Sequence, residues 1–242
     1  MMNKTVANYD FSDKTVLILG GSKGIGLGLV SEFTKSGANV YYLSRTENPE
    51  KIGIHIKVDL LDTDSLLSVL QKIEGMNINI LGNCSAINFA KKHEEIDIDE
   101  WDKVFKVNMS AIFMVCNSAL KSMKLNNYGK IVNVSSIAGK HRSIVSGIHY
   151  VSSKAALIGY TRQLSYEVSK YNINVNVVCP SQTKTEMYLD TMTVEKEKEL
   201  LRGIPLSRIA SIDEQVAPIM FLCSDSASYI AGAVIDVNGG QI

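Results

Sequence analysis

The sequence predicts an α/β fold, a doubly wound parallel sheet of seven strands with helices on both faces. Short runs rich in β-branched residues alternate with longer stretches of helical periodicity. The runs are nearly continuous in apolar residues, which is typical of parallel strands covered on both faces. No internal repeat, low-complexity tract or linker divides the chain, so we expect a single domain. The predicted strands are Thr15–Leu19, Val40–Leu43, Ile54–Val58, Ile78–Leu81, Ile131–Val134, Val175–Val178 and Val234–Val237.

The composition favours a protein that acts on small molecules. The chain has 242 residues, of which 45% are hydrophobic, enough for one large core. Lys plus Arg number 25, as do Asp plus Glu, so the net charge is zero. The chain therefore has no excess of basic residues that would attract nucleic acid or an anionic membrane. No apolar run approaches the roughly 20 residues that span a bilayer, and the N-terminus holds no apolar signal core. We therefore expect a soluble, cytoplasmic protein with an N-terminal extension over 1–13 and one domain over 14–242.

The cysteines predict neither a metal site nor a disulfide framework. Cys84, Cys116, Cys179 and Cys223 are widely separated, without C-x-x-C spacing or clustered histidines. We expect reduced, mostly buried thiols and no bound metal.

A glycine-rich turn follows the first predicted strand. The segment "GGSKGIG" places Gly20, Gly24 and Gly26 directly before a helical pattern from Leu27 to Lys35. Glycine permits positive φ and close approach of the backbone to a pyrophosphate, which the free N–H groups at a helix start attract. The spacing differs from the usual G-x-G-x-x-G, and a plain strand–helix turn is the alternative. Because such a turn does not need three glycines, the segment predicts a Rossmann-like dinucleotide site.

The end of the second strand favours NADP(H) over NAD(H). A fold that prefers NAD usually presents a carboxylate there to the adenosine ribose, whereas this chain has Ser44 and Arg45. The Arg45 guanidinium, with Lys23 from the glycine turn, is suited to pair with a ribose 2′-phosphate. A solvated loop arginine is the alternative. Asp59, after the third strand, is suited either to the adenine amino group or to the start of the next helix.

Tyr150 and Lys154, in the segment "YVSSK", form a candidate acid–base pair. Residues four apart on a helix share one face, so the two side chains lie close together. A neighbouring ammonium favours the phenolate and lowers the pKa of a tyrosine, which is otherwise near 10 and too high for proton exchange at neutral pH. Tyr150 is therefore a candidate general acid/base. Chance spacing on a surface helix is the alternative.

Further short segments accompany these motifs in a characteristic order. They are "VDL" (58–60), "NCSA" (83–86), "KVN" (106–108), "VSS" (134–136), "CPSQTKT" (179–185) and "VNGG" (237–240). From about Lys14 to Gln241 the chain resembles the single-domain branch of the short-chain dehydrogenases/reductases. The resemblance implies an NADP(H)-dependent oxidoreductase that transfers a hydride between the nicotinamide and a carbonyl or secondary alcohol, with NAD(H) as the less favoured cofactor.

The resemblance implies a catalytic tetrad of Asn108, Ser136, Tyr150 and Lys154. In it, Ser136 holds and polarises the substrate oxygen, and Tyr150 exchanges a proton with that oxygen. Lys154 bonds the nicotinamide ribose and lowers the pKa of Tyr150, while Asn108 seats a water that continues the proton path. Ser135 is the competing serine, and we assign Ser136 because it directly precedes "IAG", as the family pattern requires.

The resemblance also implies which residues bind the cofactor, and the departures from the family pattern fall mostly among them. Leu19 replaces a threonine, "NCSA" replaces Asn-Asn-Ala-Gly, and Ser181 replaces a glycine. Thr183 and Thr185 match positions that contact the nicotinamide amide or the pyrophosphate, with helix capping as the alternative. The expected set is Gly20, Ser22, Lys23, Gly24, Ile25, Gly26, Ser44, Arg45, Asp59, Leu60, Asn83, Ser85, Tyr150, Lys154, Pro180, Thr183 and Thr185.

The substrate pocket is expected between the segment 141–149, Tyr188 and a flap around 187–210. The charge-dense stretch "TVEKEKELLR" (193–202) is interpreted as a solvated helix within this mobile flap. The basic side chains of the first segment suit a polar or anionic substrate, or else are solvated loop residues: His141, Arg142 and His149.

The sequence leaves two alternative functions open, and it predicts an oligomeric protein. "GKIVNVSS" and "SDSASYIAGAVIDVNGG" resemble the 3-oxoacyl-[acyl-carrier-protein] reductases of fatty-acid synthesis, although "NNYGK" offers little basic surface beyond Lys130. The irregular cofactor loops motivate the other alternative, a non-catalytic NADP(H)-binding regulatory protein. The resemblance further implies a homotetramer or homodimer, formed through helices predicted at Trp101–Leu125 and Val151–Tyr171.

Overall fold

The computed structural model describes residues 8–189 and 192–242, which fold around one sheet of seven parallel strands. The strands are β1 Thr15–Leu19, β2 Asn39–Ser44, β3 Ile54–Lys57, β4 Ile80–Asn83, β5 Gly129–Val134, β6 Ile173–Pro180 and β7 Val234–Val237. Their order across the sheet is β3-β2-β1-β4-β5-β6-β7. The predicted doubly wound, seven-stranded fold is confirmed.

Helices connect the strands and cover both faces of the sheet. They are α1 Gly24–Lys35, α2 Thr63–Glu74, α3 Ile98–Phe105, α4 Ala111–Leu125, α5 Ile148–Val168, α6 Glu186–Leu189, α7 Val194–Arg202 and α8 Ile212–Cys223. A π-helical turn over Lys106–Ser110 joins α3 to α4. The helix predicted at Trp101–Leu125 therefore contains a local change of helical geometry, a feature often found at functional sites.

The core consists of two layers, one on each face of the sheet. Strand β1 shows the division, because Leu17 and Leu19 pack with α2, α4 and α5, whereas Val16 and Ile18 pack with α1 and α8. Alternate residues of a strand point to opposite faces, so one strand contributes to both layers. A continuous apolar run is the sequence signature of this arrangement.

Strands β4 and β6 differ most from their predicted boundaries. β4 lies two residues later than predicted and ends at Asn83, and β6 is longer than predicted at both ends. The added part of β6 includes Asn174, and Asn176 lies within the strand; the Nδ2 atoms of the two side chains donate to the Ile230 carbonyl at 3.1 and 2.9 Å. Buried asparagines are tolerated when hydrogen-bonded, and this pairing is invisible in an apolar pattern.

Part of the predicted N-terminal extension packs against the domain. Residues 1–7 of that extension lie outside the described residues. Phe11 is only 3% exposed and meets Phe33 of α1 edge-to-face, with ring centroids 5.0 Å apart. Phe11 is therefore part of the folded domain. Within 8–189 and 192–242, every helix is too short or too polar to cross a membrane.

The strand order determines where a ligand can bind. β1 lies between β2 and β4, so successive connections run in opposite directions across the sheet from β1. A crevice forms at such a switch point, outside the carboxyl ends of the strands. The glycine turn after β1 and the segment after β4 both lie at this crevice.

Candidate active site

A cavity of about 330 Å³ opens at the carboxyl ends of the strands. It brings together residues that are far apart in the sequence, from the glycine turn to the segment after β6. The predicted site residues that line it are Gly20, Ser22, Lys23, Gly24, Ile25, Gly26, Ser44, Arg45, Asp59, Leu60, Ser85, Ser136, Tyr150, Lys154, Pro180, Thr183 and Thr185. The predicted residues Asn83 and Asn108 do not line it.

The turn between β1 and α1 has the shape of an anion-binding loop. Gly20 and Gly24 adopt φ values of +89° and +56°, a region that favours glycine. A Cβ on Gly26 would lie 1.9 Å from the Gly20 carbonyl oxygen, so no side chain fits there. Lys23, at the N-cap of α1, makes no side-chain capping bond, and the first turn has no acidic residue. The backbone N–H groups at this helix start therefore fit a pyrophosphate.

Two cationic side chains lie on the rim of the cavity beside β2. Arg45 and Lys23 are both exposed, and neither forms an ion pair with another residue of the described chain. The Asp59 carboxylate lines the cavity and also accepts a hydrogen bond from the Leu61 N–H at 3.0 Å. The unpaired guanidinium and ammonium are suited to a phosphate group at this rim.

The two serines after β5 have different environments. Ser135 is 3% exposed, and its hydroxyl donates to the backbone carbonyl of Lys154 at 2.8 Å. Ser136 is partly exposed in the cavity, and its Oγ accepts from the Ala138 N–H at 3.1 Å. Ser135 thus holds α5 against β5, while the Ser136 hydroxyl keeps its hydrogen for another acceptor. This geometry favours Ser136 as the serine that contacts a substrate.

Lys154 is a buried cation at the centre of the site, 1% exposed. Its Nζ donates to the Val134 carbonyl at 2.7 Å and lies 5.7 Å from the centroid of the Tyr150 ring. Burial lowers the pKa of Lys154 to about 8, against the opposing influence of the nearby Cys84 and Cys179 thiols. An ammonium held without a carboxylate partner is poorly solvated, and an anionic phenolate or a ligand hydroxyl would stabilise it.

This burial predicts that Lys154→Met stabilises the protein in the absence of cofactor. Folded Lys154 releases its proton near pH 8, whereas the unfolded chain holds it up to about 10.5. The charged form therefore destabilises the fold below pH 8, and this penalty disappears as the pH rises from about 8 to 10.5. We expect Lys154→Met to unfold at a higher temperature than wild type at pH 7, with a difference that shrinks over that range. Thermal unfolding followed by circular dichroism measures both, and a constant or negative difference contradicts the expectation.

Tyr150 is partly buried in the cavity wall, beside Ser136. Burial raises the pKa of its phenol, and hydrogen bonding with Ser136 opposes the rise. Burial is the largest influence, so the pKa of Tyr150 lies above its usual value and not below it, as the pairing with Lys154 alone would predict. A protonated phenol is the form that donates to a substrate oxygen.

Asn108 lies in the π-helical turn and is fully buried. Its Oδ1 accepts from the Ile87 N–H at 2.9 Å, and its Nδ2 donates to the Ile87 carbonyl and to Ser153 Oγ, both at 3.0 Å. The side chain therefore connects the segment after β4 to α5. This fixes the Ile87 wall of the cavity, and the side chain does not itself reach the cavity.

Asn83 is placed away from the cavity by the register of β4. As the last residue of that strand it is fully buried, and its Nδ2 donates to Asn133 Oδ1 at 2.7 Å. Asn133 in turn donates to Thr161 of α5 at 2.8 Å. Asn83 thus belongs to a buried polar chain that ties β4 and β5 to α5, and its predicted contact with the cofactor is not supported. Ser85, two residues on, lines the cavity.

The segment after β6 contains Thr183 and Thr185, for which cofactor contact and helix capping were the two interpretations. Thr183 donates to the Ser181 carbonyl at 3.0 Å, and Thr185 Oγ1 accepts from the Tyr188 N–H at 3.4 Å. Thr185 therefore caps the short helix α6 while it also lines the cavity. Capping and cofactor contact are compatible at this position.

The substrate side of the cavity agrees with its prediction in part. Its lining includes Ser143, Val145 and Ser146 of the expected segment, and Tyr188 and Met192 of the expected flap. His141 and Arg142 are exposed and do not line it, and His149 is buried behind the wall. Among the described side chains of 193–202 none lines the cavity, although Glu197 interacts with Tyr188, which does. Together with burial, Glu197 raises the pKa of Tyr188 to about 12. Residues that line the cavity without having been singled out include Ile87, Asn88 and Gln182.

Comparison with known proteins places this site in a family. A family model for short chain dehydrogenase matches residues 14–196. The chain is 33% identical over 238 residues to the 3-oxoacyl-[acyl-carrier-protein] reductase FabG of Buchnera aphidicola subsp. Schizaphis graminum, a match that covers 94% of this chain and 97% of that protein.

Solved structures share the whole fold. A Beutenbergia cavernae protein, assigned as an NAD(P)-dependent gluconate 5-dehydrogenase and carrying NADP at low occupancy, matches with a TM-score of 0.90 and 26% identity, covering 97% of this chain and 99% of that one. A Leptospira borgpetersenii short chain dehydrogenase with bound NAD+ matches with a TM-score of 0.88 and 25% identity, covering 96% of this chain and 94% of that one. With a family model matching residues 14–196 and a 33%-identical relative along nearly its whole length, this chain belongs to the short-chain dehydrogenases/reductases, a family of oxidoreductases.

Proposed function

We propose that the protein is an NADP(H)-dependent oxidoreductase that interconverts a carbonyl compound and a secondary alcohol. The observation that carries the proposal is one continuous cavity, lined at one side by Arg45 and the glycine turn and elsewhere by Ser136, Tyr150 and Lys154. The glycine turn fits a dinucleotide because the helix start at α1 has neither a side-chain cap nor an acidic residue, so its backbone N–H groups can bind a pyrophosphate. A bound nicotinamide supplies or accepts the hydride.

In the proposed mechanism the protein supplies hydrogen bonds and the proton. The Ser136 hydroxyl donates to the substrate oxygen and stabilises the negative charge that develops on it during reduction. Tyr150 donates its phenolic proton to the same oxygen. The resulting phenolate is stabilised by the Lys154 ammonium, whose Nζ lies near the Tyr150 ring. In the alcohol direction the same residues act in reverse, with Tyr150 accepting the proton.

The proposed cofactor preference predicts a selective effect of Arg45→Ala. Loss of a charged hydrogen bond costs about 1.5–3 kcal/mol, so we expect the dissociation constant of NADPH to rise roughly 10- to 150-fold. The dissociation constant of NADH should remain within about twofold, because NADH has no 2′-phosphate. Fluorescence titration measures both constants. Arg162→Ala, which alters an exposed arginine of α5 outside the cavity, serves as the control.

The wild-type titration tests the cofactor assignment itself. Tighter binding of NADPH than of NADH supports Arg45 and Lys23 as the site of the 2′-phosphate. Equal or preferential binding of NADH would overturn the choice of NADP(H), while leaving the oxidoreductase assignment in place.

A 3-oxoacyl thioester on acyl carrier protein is a second candidate substrate. It is supported by the 33% identity to the Buchnera 3-oxoacyl-[acyl-carrier-protein] reductase. His141 and Arg142 are exposed in a segment that continues into the cavity wall at Ser143, and basic groups there suit an acidic carrier protein. A higher kcat/KM for the carrier-bound thioester than for the same acyl group on a small thiol would favour this substrate.

We further propose a homotetramer, or failing that a homodimer, formed through α4 and α5 in the cytoplasm. On α4, Phe113 is 50% exposed. On α5, Ala155, Ala156 and Gly159 are exposed, and a Cβ on Gly159 would meet nothing within 4 Å in the described chain beyond the adjacent backbone of its own helix. Small residues beside an exposed aromatic ring allow close packing of a second copy. Light scattering that finds only a 26.6 kDa species would contradict this assembly.

A further inference from the structure

His149 is fully buried next to Tyr150, and the mechanism above gives it no role. It is the second residue of α5 and is 0% exposed. Its Nδ1 accepts a hydrogen bond from the Tyr150 backbone N–H at 2.8 Å, and its Nε2 lies 3.2 Å from Glu100 Oε1. A buried ring with both nitrogens bonded is held in one orientation.

The bond from Tyr150 determines which ring nitrogen carries the hydrogen. Because Nδ1 of His149 accepts, the neutral ring carries its hydrogen on Nε2, directed at the Glu100 carboxylate. A hydrogen on Nδ1 would face the Tyr150 N–H and break that bond. The carboxylate therefore favours the tautomer that the Tyr150 backbone requires.

Glu100 is itself fixed at the start of α3. Its backbone N–H donates to the Asp97 side chain at 2.7 Å, and its Oε2 pairs with Lys91 Nζ at 2.5 Å. The bond with Lys91 lowers the pKa of Glu100 and raises the pKa of Lys91. The carboxylate thus stays ionised, and the chain Lys91–Glu100–His149 links the segment after β4 to the start of α5.

His149 is closely packed against the backbone at the start of α5. Gly147 is the N-cap of α5, and a Cβ there would lie 2.4 Å from His149 Cε1 and 2.5 Å from the Phe89 carbonyl oxygen. The Gly147 N–H donates to that carbonyl at 3.1 Å, and Asn88 Nδ2 donates to the Val145 carbonyl at 3.2 Å. The first turn of α5 is therefore tied to the cavity wall that follows β4.

We propose that His149 is a positioning residue for Tyr150. It holds the Tyr150 backbone N–H in the first turn of α5, and Glu100 with Lys91 holds its imidazole in the accepting tautomer. His149 does not line the cavity, so it acts through the backbone of the proton donor and not on the substrate. The inference rests on the proposed function, in which Tyr150 supplies the proton. A displacement of about 1 Å in such a group is enough to lower the rate on the order of 100-fold.

Two amide substitutions separate the roles of the two ring nitrogens. In His149→Asn the short side chain keeps an acceptor for the Tyr150 N–H but cannot reach Glu100. In His149→Gln the longer side chain reaches Glu100 but leaves the Tyr150 N–H without its acceptor. We expect His149→Gln to lower kcat roughly 10- to 100-fold with the KM and the dissociation constant of NADPH unchanged. His149→Asn should retain kcat within about threefold of wild type, as should the control His93→Gln at an exposed position.

Three kinetic outcomes would overturn the proposal. They are an equal loss of kcat in both amide variants, no loss of kcat in either variant, or a raised KM with unchanged kcat in His149→Gln. The last outcome would mean that His149 contributes to substrate binding. Thermal unfolding of each variant shows whether it folds. If either fails to fold, nitrogen NMR of the wild-type imidazole decides: hydrogen on Nε2 supports the proposal and hydrogen on Nδ1 overturns it. The NMR result does not depend on turnover, so it tests the positioning of Tyr150 separately from the proposed function. Wild-type protein that turns over no carbonyl compound would refute the proposed function alone.

Discussion

Tyr150→Phe is expected to lower kcat about 10³-fold while leaving the dissociation constant of NADPH nearly unchanged. The substitution removes the phenolic hydroxyl, whose proton the substrate oxygen receives, and keeps the ring that packs near Lys154 Nζ at 5.7 Å from its centroid. Removal of the hydroxyl also removes a buried polar group, so we expect no loss of folding stability. Steady-state oxidation of NADPH with an accepted carbonyl compound measures kcat, and fluorescence titration measures binding.

The control for this substitution is Tyr166→Phe. Tyr166 lies on the same helix, α5, but is 84% exposed. Its phenol does not line the cavity, so the variant should keep wild-type turnover. Near-normal turnover of Tyr150→Phe would contradict the assignment of Tyr150 as the acid–base residue.

Gly26→Ala is expected to raise the dissociation constant of NADPH at least about 100-fold. The new Cβ would lie 1.9 Å from the Gly20 carbonyl oxygen and 3.3 Å from Gly21 Cα, so the backbone of the turn has to move. That movement displaces the N–H groups at the start of α1 that fit the pyrophosphate. We also expect the free energy of unfolding to fall by about 1–3 kcal/mol, because the contact is with backbone that cannot rotate away. Titration with NADPH and urea unfolding measure the two effects.

Gly75→Ala is the matched control for the glycine turn. Gly75 ends α2 with φ of −79°, and its added Cβ would make ordinary contact with the Lys72 carbonyl oxygen at 3.5 Å. Both the affinity for NADPH and the stability of this variant should stay near wild type. If Gly26→Ala also binds NADPH normally, the glycine turn is not the pyrophosphate site.

The fold and the centre of the site are predictable from sequence because their signals are local. Apolar runs define strands, and three glycines between a strand and a helix define the turn. The i, i+4 spacing of Tyr150 and Lys154 places both on one face of α5, and the structure places both in the cavity wall. Ser136 was separable from Ser135 only by the family pattern, and the structure adds the physical reason, since the Ser135 hydroxyl bonds the Lys154 carbonyl.

The remaining features depend on register and on distant partners. Asn83 follows the strand when β4 is placed two residues early, whereas in the observed register it ends the strand and its side chain bonds Asn133 of β5. Burial of His149 depends on Glu100, which is 49 residues away in sequence. The pKa of Tyr150 depends on burial that spacing alone does not reveal. Neither local propensity nor periodicity reports such long-range contacts.

Oxidation of NADPH by the wild-type protein over a panel of carbonyl compounds tests the central claim most directly. The panel should include small ketones, keto sugars and a 3-oxoacyl thioester, free and on acyl carrier protein. We predict that at least one compound is reduced, with the NADPH consumed equal to the alcohol formed, and that Tyr150→Phe lowers the rate of this reaction about 10³-fold. Tight binding of NADPH without turnover of any compound would contradict the account and would favour a non-catalytic, regulatory NADP(H)-binding protein.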